Sequence, residues 1–331
     1  MAHMAQPTRI QNLQQAGQEL SALLAGMELD LFTSLDAGPL RADELAAALR
    51  VAPKKLSPLL YGLVVAGLLS VEDGRFANTD ESAQFLVRGK PTYLGDARGF
   101  WSELVAAGLT VAESVRTGIP QARHNYGAMS AGELAVTLGG LHPAALGVGK
   151  ELAARYDFSA YRHILDVAGG TGGASIALIR AYPGLRATIA DLPGVLPLAR
   201  RYAAEAGLSD RITTVAADLR CDAVPGRFDA AVVCKLVQVL AADDARAALA
   251  HVGRSLGPGG VVYVIGIVLD DSRLTPAPAA RINVLCLSFY DGGQAYTEGE
   301  YRAWLAEADF VDIARDEPIG GSGILRARKA G

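Results

Sequence analysis

Hydrophobic positions along this chain follow two different periods, and the place where the period changes divides it. Up to about Leu86 the spacing is helical: Leu20, Leu23, Leu24 and Met27 fall on one face, Ala42 to Leu49 repeats the pattern, and Leu56 to Leu69 is nearly all apolar. Ser70 to Thr79 then reads as two short strands about an Asp73-Gly74 turn. Helices closed by such a hairpin predict a mostly helical winged-helix domain over 10–90. From 91 to 160 the pattern is helical again and predicts a connector. Gly99 to Leu104 opens one helix, and His124 to Met129 makes a polar loop. Ala144 to Tyr156 is a helix with Pro143 in its first turn, where a missing amide hydrogen leaves nothing unpaired. His142 would then stand at a helix start.

From 161 to 331 short apolar runs alternate with amphipathic helices. Strands are expected at about 162–167, 186–191, 211–217, 229–234 and 260–267, followed by helices Ala279 to Phe289 and Thr297 to Ala308 and two last strands at 311–316 and 322–328. The alternation predicts the α/β class, a parallel sheet with helices on both faces.

The first of these strands runs straight into Gly169-Gly170-Thr171-Gly172-Gly173 and then a helix, Ala174 to Tyr182. Such a turn lets backbone pass close to a ligand while the free amides of the helix start face it. Asp191 ends the next strand about 20 residues on, where a carboxylate reaches ribose hydroxyls. The dinucleotide spacing Gly-x-Gly-x-x-Gly fails, because the third position counted from Gly170 is Ser175. Asp218 and Lys235 follow the third and fourth strands, so four strand ends direct ligand-type groups at one crevice.

Leu165 to Gly172, Ala190 to Val195, Ala217-Asp218, Lys235, Leu256 to Gly260 and Tyr296 to Tyr301 together carry a resemblance that runs from about Gln11 to Lys329. The chain resembles S-adenosylmethionine-dependent methyltransferases of the caffeate and hydroxyindole O-methyltransferase type, which include bacterial natural-product tailoring enzymes. The resemblance implies a Rossmann-like seven-stranded sheet with a late hairpin, and an N-terminal winged helix that makes an intertwined homodimer. It implies S-adenosyl-L-methionine as cofactor. Gly169, Gly170 and Gly172 would surround its amino acid portion, steadied by Asp166. Asp191, with Leu192 beside it, would hold the ribose, Asp218 and Leu219 would sit at the adenine, and Lys235 near the methionyl end. Trp101, His124, Tyr126, Met129 and Tyr290 are candidates for the substrate side.

The same resemblance exposes a gap. O-methyltransferases of this type take the acceptor's proton with a histidine after the fourth strand, in a His-Asp-Trp pattern. Aligned on Lys235 and Asp243, that position is Gln238, its acidic neighbour is Val239, and the glutamate that orients the base falls at Ala295. A glutamine cannot accept a proton at neutral pH, and general base catalysis contributes roughly 10² to 10⁴-fold. Either the acceptor needs no base, or another group such as His142 has taken over, or the fold no longer transfers methyl. The expected activity is methyl transfer to a small aromatic or polyketide-like metabolite, on a nitrogen, carbon or activated oxygen, with Gln238 hydrogen bonding. The alternative is a non-methylating reaction such as hydroxylation, decarboxylation or pericyclic rearrangement. His251, on the helix Asp244 to Leu256, is expected to face away into solvent.

Composition removes other classes. With 331 residues, 50% of them apolar, and a formal charge of −4, nothing suggests nucleic acid or an anionic membrane as partner. The apolar Leu56 to Leu69 stretch also makes a poor DNA-reading helix. No apolar run reaches the roughly 18 to 20 residues of a membrane span, and no signal segment opens the chain, so a cytoplasmic location is expected. Met1-Ala2-His3-Met4 reads as a cloning remnant. Cys221, Cys234 and Cys286 are too scattered for a disulfide framework or a metal site, and Cys234 and Cys286 are expected to be buried small hydrophobes.

Overall fold

The computed structural model describes residues 6–90 and 92–331, so the Met1-Ala2-His3-Met4 stretch lies outside the described residues. The chain divides into two compact units, up to Glu103 and from Leu104 onward.

The first unit contains α1 (Thr8–Glu28), α2 (Leu31–Ser34), β1 (Leu40–Arg41), α3 (Ala42–Leu49), α4 (Pro53–Val65), β2 (Leu69–Glu72), β3 (Arg75–Asn78) and α5 (Asp80–Phe85). The expected hairpin is present: β2 and β3 pair antiparallel about Asp73-Gly74, both at positive φ, and β1 adds a third strand beside β3. Phe32, Leu45, Leu60, Leu63 and Phe76 form the buried centre, each from a different element or turn of helix. Trp101 packs against this core, in α6 (Arg98–Thr117), within which the division between the units falls.

The second unit continues with α7 (Ala131–Arg155), which corrects the predicted helix over 144–156. Ser130 accepts from the Glu133 amide and Glu133 from the Ser130 amide, so a capping box opens the helix three turns earlier than Pro143 suggests. Pro143 lies inside the helix and His142 in its middle. After it come β4 (His163–Val167), α8 (Gly173–Ala181), β5 (Arg186–Asp191), α9 (Leu196–Glu205), β6 (Ile212–Ala216), β7 (Phe228–Cys234), α10 (Ala242–Ser255), β8 (Leu256–Gly266), β9 (Val268–Leu269), α11 (Ala277–Phe289), β10 (Tyr296–Thr297), α12 (Glu298–Glu307), β11 (Phe310–Ile319) and β12 (Ser322–Lys329).

The main sheet has seven strands in the order β11-β12-β8-β7-β4-β5-β6. The strands from β8 to β6 pair parallel, whereas β12 runs antiparallel between β8 and β11. Two cores follow, as a sheet covered on both faces requires. One holds Leu165, Val233, Leu249 and Tyr301, the other Ile164, Ile179, Ile189 and Tyr263. Consecutive residues Ile164 and Leu165 point to opposite faces, the period of two that the apolar run concealed. The strand order reverses between β4 and β7, and the crevice at a reversal is where α/β sheets bind ligands. Among the described residues no helix is long and apolar enough to cross a membrane, and no cluster of ligating side chains could hold a metal ion.

Candidate active site

At the end of β4 the chain must turn sharply, and it does so through left-handed backbone. Ala168 (φ 52°), Gly170 (φ 58°) and Gly172 (φ 73°) all lie there. Gly169 has a different reason to lack a side chain: a Cβ would stand 2.6 Å from Cγ of Asp166. Asp166 is 1% exposed and accepts from Ser175 Oγ at 2.6 Å, which ties β4 to the start of α8. Burial pushes its carboxyl up to about 6. Asp191, at the end of β5, accepts from the Gly170 amide at 2.8 Å and from its own neighbour, the Leu192 amide, at 2.7 Å. Burial raises its carboxyl too, against those two bonds. A carboxylate has about four lone-pair sites, so two remain for ligand hydroxyls.

These groups line a cavity of about 630 Å³. Asp166, Gly169, Gly170, Asp191, Leu192, Asp218, Leu219 and Lys235 all contribute to its wall. Asp218 is gripped by Arg220, whose Nε and Nη2 donate at 2.6 to 3.1 Å, and this holds the carboxyl below its ordinary range. Lys235 follows β7 at φ 58°, its amide bonded to Ile265 O at 2.6 Å. Ala168 and Lys235 are thus two non-glycine residues held left-handed at neighbouring strand ends, the kind of backbone strain that collects at functional sites.

His124, Tyr126 and Tyr290 line the same cavity. The His124 ring centroid lies 4.4 Å from Phe289, 5.9 Å from Tyr126 and 6.3 Å from Tyr290. The Ala122 amide donates to Ser288 O at 2.9 Å and the His124 amide to Phe289 O at 3.0 Å, while Arg123 pairs with Asp291. This wall therefore has fixed backbone although it is a loop. Leu138, Leu141, Ala145 and Val148 of α7 add an apolar stripe at helical spacing.

Five sequence candidates lie outside that wall. Gly172 caps α8, where a Cβ would meet Ile189 Cδ1 at 2.5 Å, so it shapes the turn without facing the cavity. Met129 is not among the lining residues, and Trp101 serves the core of the first unit. His142 neighbours the lining face of α7 but bonds Thr171 and stacks on Tyr202. Gln238 is 7% exposed, and its Oε1 has no hydrogen-bond partner among the described residues. Ala295 is wholly buried, its amide donating to Asn283 Oδ1 at 2.6 Å.

Two expectations are corrected. His251 is not solvated: it is 8% exposed, with Nδ1 2.8 Å from Leu219 O, because it lies on the face of α10 turned to the sheet. Cys234 packs against the second core, but as the last residue of a strand opening on the crevice it also joins the cavity wall. Its desolvated thiol is pushed up to about 11. Arg123, Arg220 and Asp244 also line the cavity although the sequence marks them only as flanking positions beside His124, Asp218 and Asp243, and Val239, which replaces the acidic neighbour of the missing base, joins them.

A switch-point cavity walled by a glycine turn and strand-end carboxylates defines an α/β nucleoside-binding enzyme. Residues 110–311 match the O-methyltransferase domain and residues 17–88 the O-methyltransferase dimerisation domain, so the chain belongs to the O-methyltransferase family and is an S-adenosylmethionine-dependent methyltransferase. It is 32% identical to 3-hydroxy-5-methyl-1-naphthoate 3-O-methyltransferase of Streptomyces sahachiroi, over 98% of this chain and 96% of that protein. It is also 32% identical to aclacinomycin 10-hydroxylase RdmB of Streptomyces purpurascens, over 74% and 68%. Among solved structures it is similar to the S-adenosylmethionine-dependent methyltransferase SibL, with a TM-score of 0.80, 28% identity and coverage of 98% and 100%.

Proposed function

We propose that this chain methylates a small aromatic or polyketide-like metabolite of natural-product biosynthesis, in the cavity of its second unit and as a homodimer joined through the N-terminal domain. The observation that carries the reading is one cavity that joins the Asp191-held glycine turn to the His124, Tyr126 and Tyr290 wall. The turn fits the donor. Gly169 and Gly170 would allow close backbone approach, Asp191 keeps acceptor capacity for ribose hydroxyls, Asp218 and Leu219 would hold the adenine, and Lys235 the methionyl end. Bound there, S-adenosylmethionine supplies an electrophilic methyl group and leaves as a neutral thioether.

The protein's share of the reaction is orientation. Holding two reactants in line can supply roughly 7 to 11 kcal/mol of the barrier. The tilted and edge-on rings about His124 suit a flat acceptor, and the α7 stripe excludes water. With no ionisable group at Gln238, the favoured acceptor is one that needs no strong base: an amine, an acidic phenol or an enol carbon. Gln238 is buried and does not line the cavity, so its amide does not meet an acceptor held there.

A second reading retains the donor for a non-methylating reaction, and similarity to a protein named as a hydroxylase favours it. Incubation with methyl-labelled donor and a panel of phenols, aromatic amines and enolisable ketones separates the two. Label in the acceptor supports methyl transfer. Acceptor turnover with all label left on the donor supports the alternative.

A further inference from the structure

We propose that His142 is a positioning residue of the donor site, which acts through Thr171 to fix the glycine-rich turn, and that it does not serve as the base. The inference rests on the donor reading above.

Within Gly169-Gly170-Thr171-Gly172-Gly173, Thr171 is the one residue that carries a side chain. Glycines lose more conformational freedom on ordering than any other residue, so a stretch with four of them needs outside restraint to present a fixed surface. Asp191 restrains one amide, that of Gly170. The only side-chain handle is the Thr171 hydroxyl. It is buried, at 3% exposure for the residue, and lies 2.7 Å from His142 Nδ1. Thr171 itself forms part of the cavity wall, whereas His142 does not.

His142 is held in turn. Its ring stacks on Tyr202 at 4.0 Å and 27°. The helix that carries it lies hard against α8: a Cβ on Gly173 would meet Ala145 Cβ at 2.8 Å and His142 O at 3.1 Å, and one on Gly149 would collide with Ala174 O. Two glycines thus bring α7 and α8 to backbone contact, which fixes the distance from His142 to the turn. Burial holds the imidazole below its ordinary range, with Glu205 opposing and Arg180 reinforcing the shift, so the ring is the neutral partner of a hydroxyl near neutral pH. A base must reach the acceptor's proton, and this ring faces Tyr202 and Thr171 instead.

A double-mutant cycle tests the assignment, with binding of S-adenosylhomocysteine read by calorimetry. His142→Phe keeps the stack on Tyr202 and removes Nδ1; Thr171→Val keeps the shape and removes the hydroxyl. Each should weaken binding about tenfold, the double variant no further than either single, and His142→Asn should stay within about threefold of the parent. Single variants without effect, or losses that multiply in the double variant, would overturn the proposal. Amide hydrogen exchange on the ligand-free protein gives a second readout: His142→Phe should speed exchange at Gly170 and Gly172, and unchanged exchange there would count against it. If the parent binds no S-adenosylhomocysteine, the donor reading falls, while the exchange measurement still decides whether His142 holds the turn.

Discussion

The side-chain oxygen of Gln238 stands 2.5 Å from the point where a Cβ on Gly266 would be. The amide occupies space that exists only because β8 ends in glycine. Position 238 therefore points into the protein, beside the buried hydroxyl of Tyr301, which lies 3.7 Å from the same point. Gln238→His should not raise methyl transfer to any acceptor, because the imidazole would start in a pocket that does not open on the cavity and would find no carboxylate at Ala295. A large gain in labelled product would show that the chemistry runs through 238. Gly266→Ala should lower stability by about 1 to 3 kcal/mol through overpacking, seen as a fall in urea midpoint with unchanged slope.

Asp166 makes stability depend on pH. Its folded-state carboxyl is raised to about 6 from an ordinary value near 3.8, so the native state binds more protons than the unfolded chain between those values. Its contribution is fully present below about pH 4 and is lost as pH rises through about 6. Asp166→Asn keeps an acceptor for Ser175 without the buried charge. The melting temperature of the ligand-free variant should exceed that of the parent by a few degrees at pH 7.5, and the gap should shrink toward pH 4.5. A gap that widens on acidification would contradict the assignment.

Ala168 occupies left-handed backbone at φ 52°, which costs a residue with a Cβ roughly 1 kcal/mol. Ala168→Gly removes that strain but makes the unfolded chain more flexible, so the net gain should be a few tenths to about 1 kcal/mol. Scanning calorimetry should show a rise of about 1 to 3 °C. A lower melting temperature would mean that the alanine methyl packs usefully.

His251 and Ser255 hold the chain after β6 from behind. His251 Nδ1 meets Leu219 O, and Ser255 Oγ accepts from the Val224 amide at 3.1 Å and donates to Val224 O at 2.9 Å. His251→Leu leaves a buried carbonyl unpaired, at about 1 to 3 kcal/mol, and should weaken S-adenosylhomocysteine through Asp218 and Leu219. His251→Asn, which can still donate, should recover part of both losses. Equal behaviour of the two variants would remove the hydrogen bond from the explanation.

Much of the fold was legible because the apolar period changes from helical to strand-like and back at each element of the second unit. The glycine turn and Asp191 were legible because their spacing is local. What escaped was direction. Pro143 outweighs the Ser130 and Glu133 capping box in the sequence pattern, so that pattern hides the lining stripe of α7, which begins at Leu138, and a helix start at Pro143 would bring His142 to the cavity. Gln238 and Trp101 have the residue types of a site, yet where each points is set by Gly266 and by the helical core around Phe32 and Leu60, neither near in sequence. Arg220 reaches the cavity wall through its grip on Asp218, and Asp244 through the packing of α10.

β12 follows β11 in the chain, yet within the sheet it lies between β11 and β8. While the ribosome is still translating, β8 keeps an open edge, a ready template for a strand from another nascent copy. Only the arrival of residues 322 to 329 closes it. Premature termination just upstream of Ser322 would therefore expose the middle of the sheet, not its rim, and such products should be lost to aggregation or to quality-control proteases.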